Sequence, residues 1–168
     1  MRFRRMAYRV KQFASAFTVH MRPEEWTEVK ALLRPEELGL FCDMSRSALR
    51  HGLQVHRHLV RQGAVDRDLL VAALLHDVGK RRVTLAHRVT AVLLEAAMPR
   101  LLDRLALPQG PRWRQGFHEH RHHAEIGAEL ARGAGCHSRV VYLIQHHHED
   151  GRQGPPGLAA LRAADEDN

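Results

Sequence analysis

The run from Leu69 to Leu75 is apolar at every position, and it ends on His76 and Asp77, with Val78, Gly79 and Lys80 following. Two strongly polar residues thus close a segment that must be buried. An unpaired buried aspartate costs several kcal/mol, so the pair needs a partner. Imidazole nitrogen beside carboxylate oxygen can hold a divalent ion or share a proton. Neighbouring residues on a helix diverge by about 100°. Both can therefore reach one ion only at a helix end, and Gly79 supplies that end. A His–Asp hydrogen bond closing a core helix explains the pair equally well when it is taken alone.

Further histidines and one aspartate fall beside apolar positions elsewhere in the chain. His51 lies next to the inner positions of a helix running from Ser47 to Gly63. His58, seven residues on, shares that face, whereas His56 does not. His123 opens a helix in which Gly127, one turn on, would let another backbone come close. In the segment 138–148, Val140, Leu143 and Ile144 set the inward face. His147 and His148 continue that face, while His146 sits with Arg139 and Tyr142. Asp165 follows Leu158, Leu161 and Ala164 in the last helix. Each has a plain explanation singly, but five helices delivering His or Asp to inner faces point to a metal. The 14 histidines also concentrate late in the chain, with His118, His120 and His122 beside His123. His118 and His122 are one turn apart and could bind metal as a pair, but the plainer expectation is that this group is solvated or lines the mouth of the site.

The elements that must position these residues are helical. Apolar residues recur at spacings of three and four throughout, and no period-2 run or Asn-Gly hairpin signal is present. Phe3, Met6, Val10, Phe13 and Phe17 trace a first helix over 3–18. Pro23-Glu24-Glu25 and Pro35-Glu36-Glu37 read as helix starts, with acids at the positive end of the dipole. Ser45 or Ser47 caps the next helix and Asp66 the one after it, Arg67 to about Val78. Helices over 84–98, 112–122, 123–133, 138–148 and 158–166 follow, with loops at Leu107–Pro111 and Gly151–Gly157. The expectation is an all-α single compact bundle of roughly seven to ten helices. Residues 1–44 would be N-terminal helices packing on a metal-binding unit over 45–168.

Composition narrows the function. The chain has 168 residues, 44% of them hydrophobic, which suits one globular domain rather than a disordered chain. The longest apolar run is far short of the roughly 20 residues a membrane helix needs, so no membrane partner is expected. Two cysteines, Cys42 and Cys136, are too few for a disulfide framework; they read as core residues. With no signal peptide at the start, a cytoplasmic location is expected. The net charge is +7. The arginines are scattered, with the densest cluster at Arg2, Arg4, Arg5, Arg9 and Lys11. Nucleic acid is allowed by this charge without being favoured.

The ordered pattern His51, His76-Asp77, Asp165 resembles the HD-domain superfamily of metal-dependent phosphohydrolases. The string His76-Asp77-Val78-Gly79-Lys80 is similar to the variant in which an aliphatic residue, Gly and Lys follow the pair. His123 and His147-His148-Glu149 resemble the extra histidines of members that bind two or more metals. Two departures bear on substrate. Members that cleave cyclic dinucleotides carry Gly-Tyr-Pro after the His-His-Glu, and Gly154-Pro155-Pro156 stands here without the tyrosine. Members that hydrolyse guanosine tetraphosphate carry Glu-Asp just after the pair, where this chain has Lys80-Arg81-Arg82. Both activities are disfavoured.

The resemblance implies a metal-dependent phosphohydrolase, a phosphomonoesterase or phosphodiesterase, acting on a small phosphate ester or a nucleotide. Nitrogen and carboxylate ligands without thiolate suit Mn, Fe, Co, Ni or Zn. The expected ligands are His51, His76, Asp77, His123, His147, His148 and Asp165, more than one tetrahedral ion needs. Two ions about 3.5–4 Å apart would share Asp77 and lower the pKa of a bound water toward about 7. His51, His76 and Asp165 would complete the first ion, and His123, His147 and His148 the second. Asp77 and Lys80 are the expected catalytic residues, Lys80 by neutralising a phosphate oxygen or assisting the leaving group. Arg81 and Arg82 could add phosphate contacts. The alternative function is a catalytically silent module that binds metal or nucleotide and regulates a partner.

Overall fold

A computed structural model describes residues 21–149 and 154–168. The N-terminal helix over 3–18 and the basic cluster from Arg2 to Lys11 lie outside the described residues, as does part of the loop from Gly151. Among the described residues there are nine helices and no strands. They are α1 Pro23–Leu32, α2 Pro35–Cys42, α3 Arg46–Arg61, α4 Arg67–Leu75 and α5 Leu85–Ala97. Then come α6 Pro99–Leu105, α7 Arg112–Gly133, α8 Ser138–His146 and α9 Leu158–Asp167. The all-α expectation holds.

Local chemistry explains most helix starts. Pro23 and Pro35 occupy first helical positions, and Glu25 and Glu37 reach back to accept the main-chain N–H of Arg22 and Arg34, each at 2.8 Å. Ser45 rather than Ser47 caps α3, its Oγ accepting from Ala48 N. Asp66 caps α4 by accepting from Leu69 N.

The core is built around α4, where Leu69 through Leu75 are all buried. α3, α8 and α9 pack against it, and Leu53, Val55, Leu143, Ile144 and Leu161 fill the space between. Val29, Leu33 and Phe41 from α1 and α2 belong to the same apolar cluster. A smaller second cluster, Ala91, Leu102 and Phe117, joins α5, α6 and α7.

Several local expectations are corrected. α4 stops at Leu75, leaving His76 as its C-terminal cap and the rest of the motif in a turn. α8 stops at His146, so His147 and His148 lie just beyond it. The segments 112–122 and 123–133 form one element broken at His122 (φ −115°, ψ 19°). α6 adds to the expected helices; Pro99 at its first position starts a new helix where the preceding one ends. His56 is buried against α1, with Glu28 at 3.2 Å, while His58 sits at the rim beside Gln62 and Asn168. Helix α3 is therefore covered on two sides, not one. Cys42 is exposed rather than in the core, because Phe41 beside it takes the inward position. No helix of the described residues is long and apolar enough to cross a membrane.

Candidate metal centre

Two glycines bring the carriers of the site together. A Cβ on Gly52 of α3 would lie 2.6 Å from the Leu74 carbonyl oxygen, so α3 can cross α4 this closely only at glycine. Its neighbour His51 is thereby delivered to the end of α4. A Cβ on Gly79 would overlap the main-chain carbonyl of His123. The turn after His76-Asp77 thus sits directly on α7 at His123. Gly127 packs against Val78 and Ile144, as its small size allows.

All seven residues expected as ligands converge at this junction. His51 Nε2 donates to Asp165 Oδ1 at 2.7 Å. Asp165 Oδ1 is also 3.4 Å from His76 Nε2. Asp77 Oδ1 lies 3.7 Å from His76 Nε2 and 3.6 Å from His123 Nε2. His123 Nε2 and His148 Nε2 approach to 2.8 Å. Potential ligand atoms gather within 4.8 Å of one another in three groups: His51, His76 and Asp77; His76, His147 and Asp165; and His123, His147 and His148. The last trio coincides with the set expected for a second ion. His147 also belongs with His76 and Asp165, so it stands between the two halves.

Main-chain carbonyls fix which ring nitrogen faces inward. His76, His123 and His147 each donate from Nδ1 to the carbonyl three residues back, on Ala73, His120 and Ile144. A carbonyl only accepts, so Nδ1 carries a proton and Nε2 is the nitrogen turned to the centre. His76 and His147 are 0% and 1% exposed, and Asp77 is 2% exposed. Buried this deeply, His76 Nε2, Asp77 Oδ1 and His147 Nε2 have no hydrogen-bond partner. Inward-facing orphan atoms of nitrogen and carboxylate type fit a divalent first-row metal ion.

Charge sorts these groups. Burial pushes the Asp77 carboxyl up, yet Lys80, His76 and His123 outweigh it and hold it well below the usual carboxylate range. Asp165 is likewise lowered against burial, chiefly by His76 and by the His51 hydrogen bond. His76 responds in the opposite sense. Burial alone would lower it, but the charges of Asp77 and Asp165 raise it to about 9. Burial followed by the charge of His76 lowers His147 to about 3, and burial followed by Lys80 lowers His123 and His148. The proton on His76 is therefore the one that must leave before its Nε2 can act as a ligand.

The cations sort as well. Lys80 Nζ is 2.7 Å from Asp77 Oδ1, without hydrogen-bond alignment. Arg81 is held by Asp43 at 2.5 Å, and Arg82 by Glu119, which accepts its main-chain N–H at 2.5 Å. Neither arginine is drawn into the centre. Among the other histidines, His118 donates to the Ala106 carbonyl and His146 is engaged by Glu149. His120 differs. Its Nδ1 is buried without a partner, and burial, then Lys80 and Arg88, lower its pKa to about 4. The sequence carries one signal for it: it lies three residues before His123, the spacing at which a carbonyl orients a histidine. Arg162 Nη2 donates to the His146 carbonyl, tying the end of α8 to α9 one turn before Asp165. No sequence spacing announces that contact.

A family model described as HD domain matches residues 45–167. No curated protein and no solved structure matches the chain.

Proposed function

The chain belongs to the HD-domain family, and on that premise we propose that it is a metal-dependent phosphohydrolase cleaving a small phosphate ester, nucleotides among the candidates. The observation that carries this reading is Asp77 Oδ1, a buried carboxylate oxygen set between His76 and His123 with no hydrogen bond of its own. In this reading His51, His76 and Asp165 would hold one divalent ion and His123, His147 and His148 a second, with Asp77 available to both. Bound ions would supply Lewis acidity and an activated water nucleophile.

The protein's own residues supply the rest. The Nδ1–H bonds to Ala73, His120 and Ile144 hold Nε2 of three rings toward the centre, so that His76 has only its Nε2 proton to lose. Burial of His76, Asp77 and His147 keeps bulk water from competing at the inner edge. Lys80, its side chain 13% exposed, can pass its ammonium from Asp77 to a phosphate oxygen or to the departing oxygen.

Metal analysis of protein purified without chelator tests the proposal. About two equivalents in wild type, falling below one in Asp77→Ala, is the expected result. No metal in either protein would overturn it. Confirmed occupancy with no turnover on a broad nucleotide and phosphoester panel would instead favour a silent regulatory module.

A further inference from the structure

Among the described residues, the orphan atoms His76 Nε2, Asp77 Oδ1 and His147 Nε2 are accounted for by the metal groups. His120 Nδ1 is a fourth orphan at the same place, and His120 joins none of those groups. His56 Nδ1 is also orphaned, but it lies under α1, remote in role from the centre. A buried ring nitrogen without a partner is uncommon in a folded protein and calls for a ligand.

The surroundings of His120 say which kind. The turn that carries Lys80 packs on this segment, with Gly79 against the His123 carbonyl and the Arg82 N–H on Glu119, and the charges of Lys80, Arg88, Asp77 and His148 all reach the ring. Lys80 Nζ itself lies 2.7 Å from Asp77 Oδ1. Arg88, on α5, is only 8% exposed and adds a second positive charge. Glu119, the carboxylate next to His120, is turned away and spent on the main-chain N–H and guanidinium of Arg82. The main chain of His120 is fixed as well, because its carbonyl accepts from His123 Nδ1 just before the break at His122. An imidazole donor held rigidly beside two cations and next to the ligand cluster suits a phosphoryl oxygen better than an apolar group or a cation.

We propose that His120 is a substrate-binding residue, its ring taking a phosphoryl oxygen in a lobe shared with Lys80 and backed by Arg88. The proposal rests on the phosphohydrolase reading above.

The test is calorimetric titration of inorganic phosphate into metal-loaded wild type, His120→Ala and His120→Asn, with metal content and melting temperature measured on each. Phosphate affinity should fall about tenfold or more in His120→Ala, the loss of one charge-assisted hydrogen bond. His120→Asn, which keeps a donor, should recover part of it. Metal content and melting temperature should stay at wild-type values, because the bond to His123 uses the main chain. Arg88→Lys should weaken phosphate as well, with less effect than His120→Ala. Unchanged phosphate affinity in His120→Ala would overturn the inference, as would loss of metal in that variant. A metal-loaded wild type that binds no phosphate would instead count against the phosphohydrolase reading itself, and the inference would fall with it.

Discussion

Lys80 closes its ammonium onto Asp77, with Nζ 2.7 Å from Oδ1. That oxygen is the one set between His76 and His123. The lysine thus supplies the positive charge that a buried carboxylate requires, in the place where a metal ion would supply it. The two cations should therefore compete. Lys80→Met should lower the stability of chelated protein by about 1–3 kcal/mol, since Asp77 loses a charged neighbour. It should tighten metal binding by about tenfold or more, because one nearby like charge has gone. Thermal denaturation with chelator and competition against a metallochromic dye read the two effects. Weaker metal binding in Lys80→Met would mean that the lysine supports the ion rather than rivals it.

Gly79 lies against the carbonyl of His123, and Gly52 against that of Leu74. These are separate contacts serving separate halves of the site. Gly79→Ala should cost about 1–3 kcal/mol through overpacking and push α7 away from the motif. The trio His123, His147 and His148 would then open, while His51, His76 and Asp165 stay in place. Metal analysis should show the loss of about one equivalent, with the other retained. If Gly79→Ala loses both ions together or keeps both, the two halves do not act as separate sites.

Much of this arrangement is legible in the amino-acid sequence. His76-Asp77 stands out because seven apolar residues precede it, and burial makes an unpaired charge there untenable. His123, His147, His148, His51 and Asp165 follow from helical periodicity, which tolerates a shift in where a helix stops. His147 and His148 lie past the end of α8, yet they continue its inward side. The less legible parts are those set by long-range approach. What marks out His120, burial first and then the charges of Lys80 and Arg88, comes from a distant turn and from α5. His56 is buried because α1 covers a second side of α3, and periodicity along α3 alone cannot count its neighbours. α6 leaves no periodic signal because seven residues are too few to establish a period.

Removal of metal should destabilise the fold as well as silence it. Asp77 Oδ1 and His147 Nε2 are buried without a hydrogen bond, and an ion bound only by the folded chain adds its binding energy to folding. At free metal about a hundredfold above Kd the gain is about 2.7 kcal/mol. For a chain of this size that corresponds to a rise in Tm of about 5–10 °C. Scanning calorimetry of wild type with and without chelator should show this shift, and Asp77→Ala should show little of it. An unchanged Tm on chelation would mean that the orphan atoms are satisfied without an ion.

Glu25 provides a pH-dependent contribution away from the metal centre. Its carboxylate is 3% exposed and accepts from Arg50 at 2.7 and 3.1 Å, from Arg57 at 3.0 Å and from Arg22 N at 2.8 Å. Burial alone would raise its pKa, but the Arg50 hydrogen bond, the Arg22 main-chain N–H and the two guanidinium charges bring it to about 2, from 4.5. A carboxyl whose folded pKa lies below its unfolded value stabilises the fold fully above the unfolded value, and that stability is lost as pH falls through the folded one. At pH 7, Glu25→Gln should therefore cost about 2 kcal/mol, because Arg50 and Arg57, both partly exposed, lose the charge of this carboxylate. The difference from wild type should shrink steadily from pH 4.5 downward and vanish near pH 2. Urea unfolding at pH 7, 4 and 2.5 measures it. A difference that stays constant across that range would show that Glu25 acts by shape and helix capping rather than by charge. If it shrinks as expected, α1 is held to α3 electrostatically, through an arginine adjacent to His51.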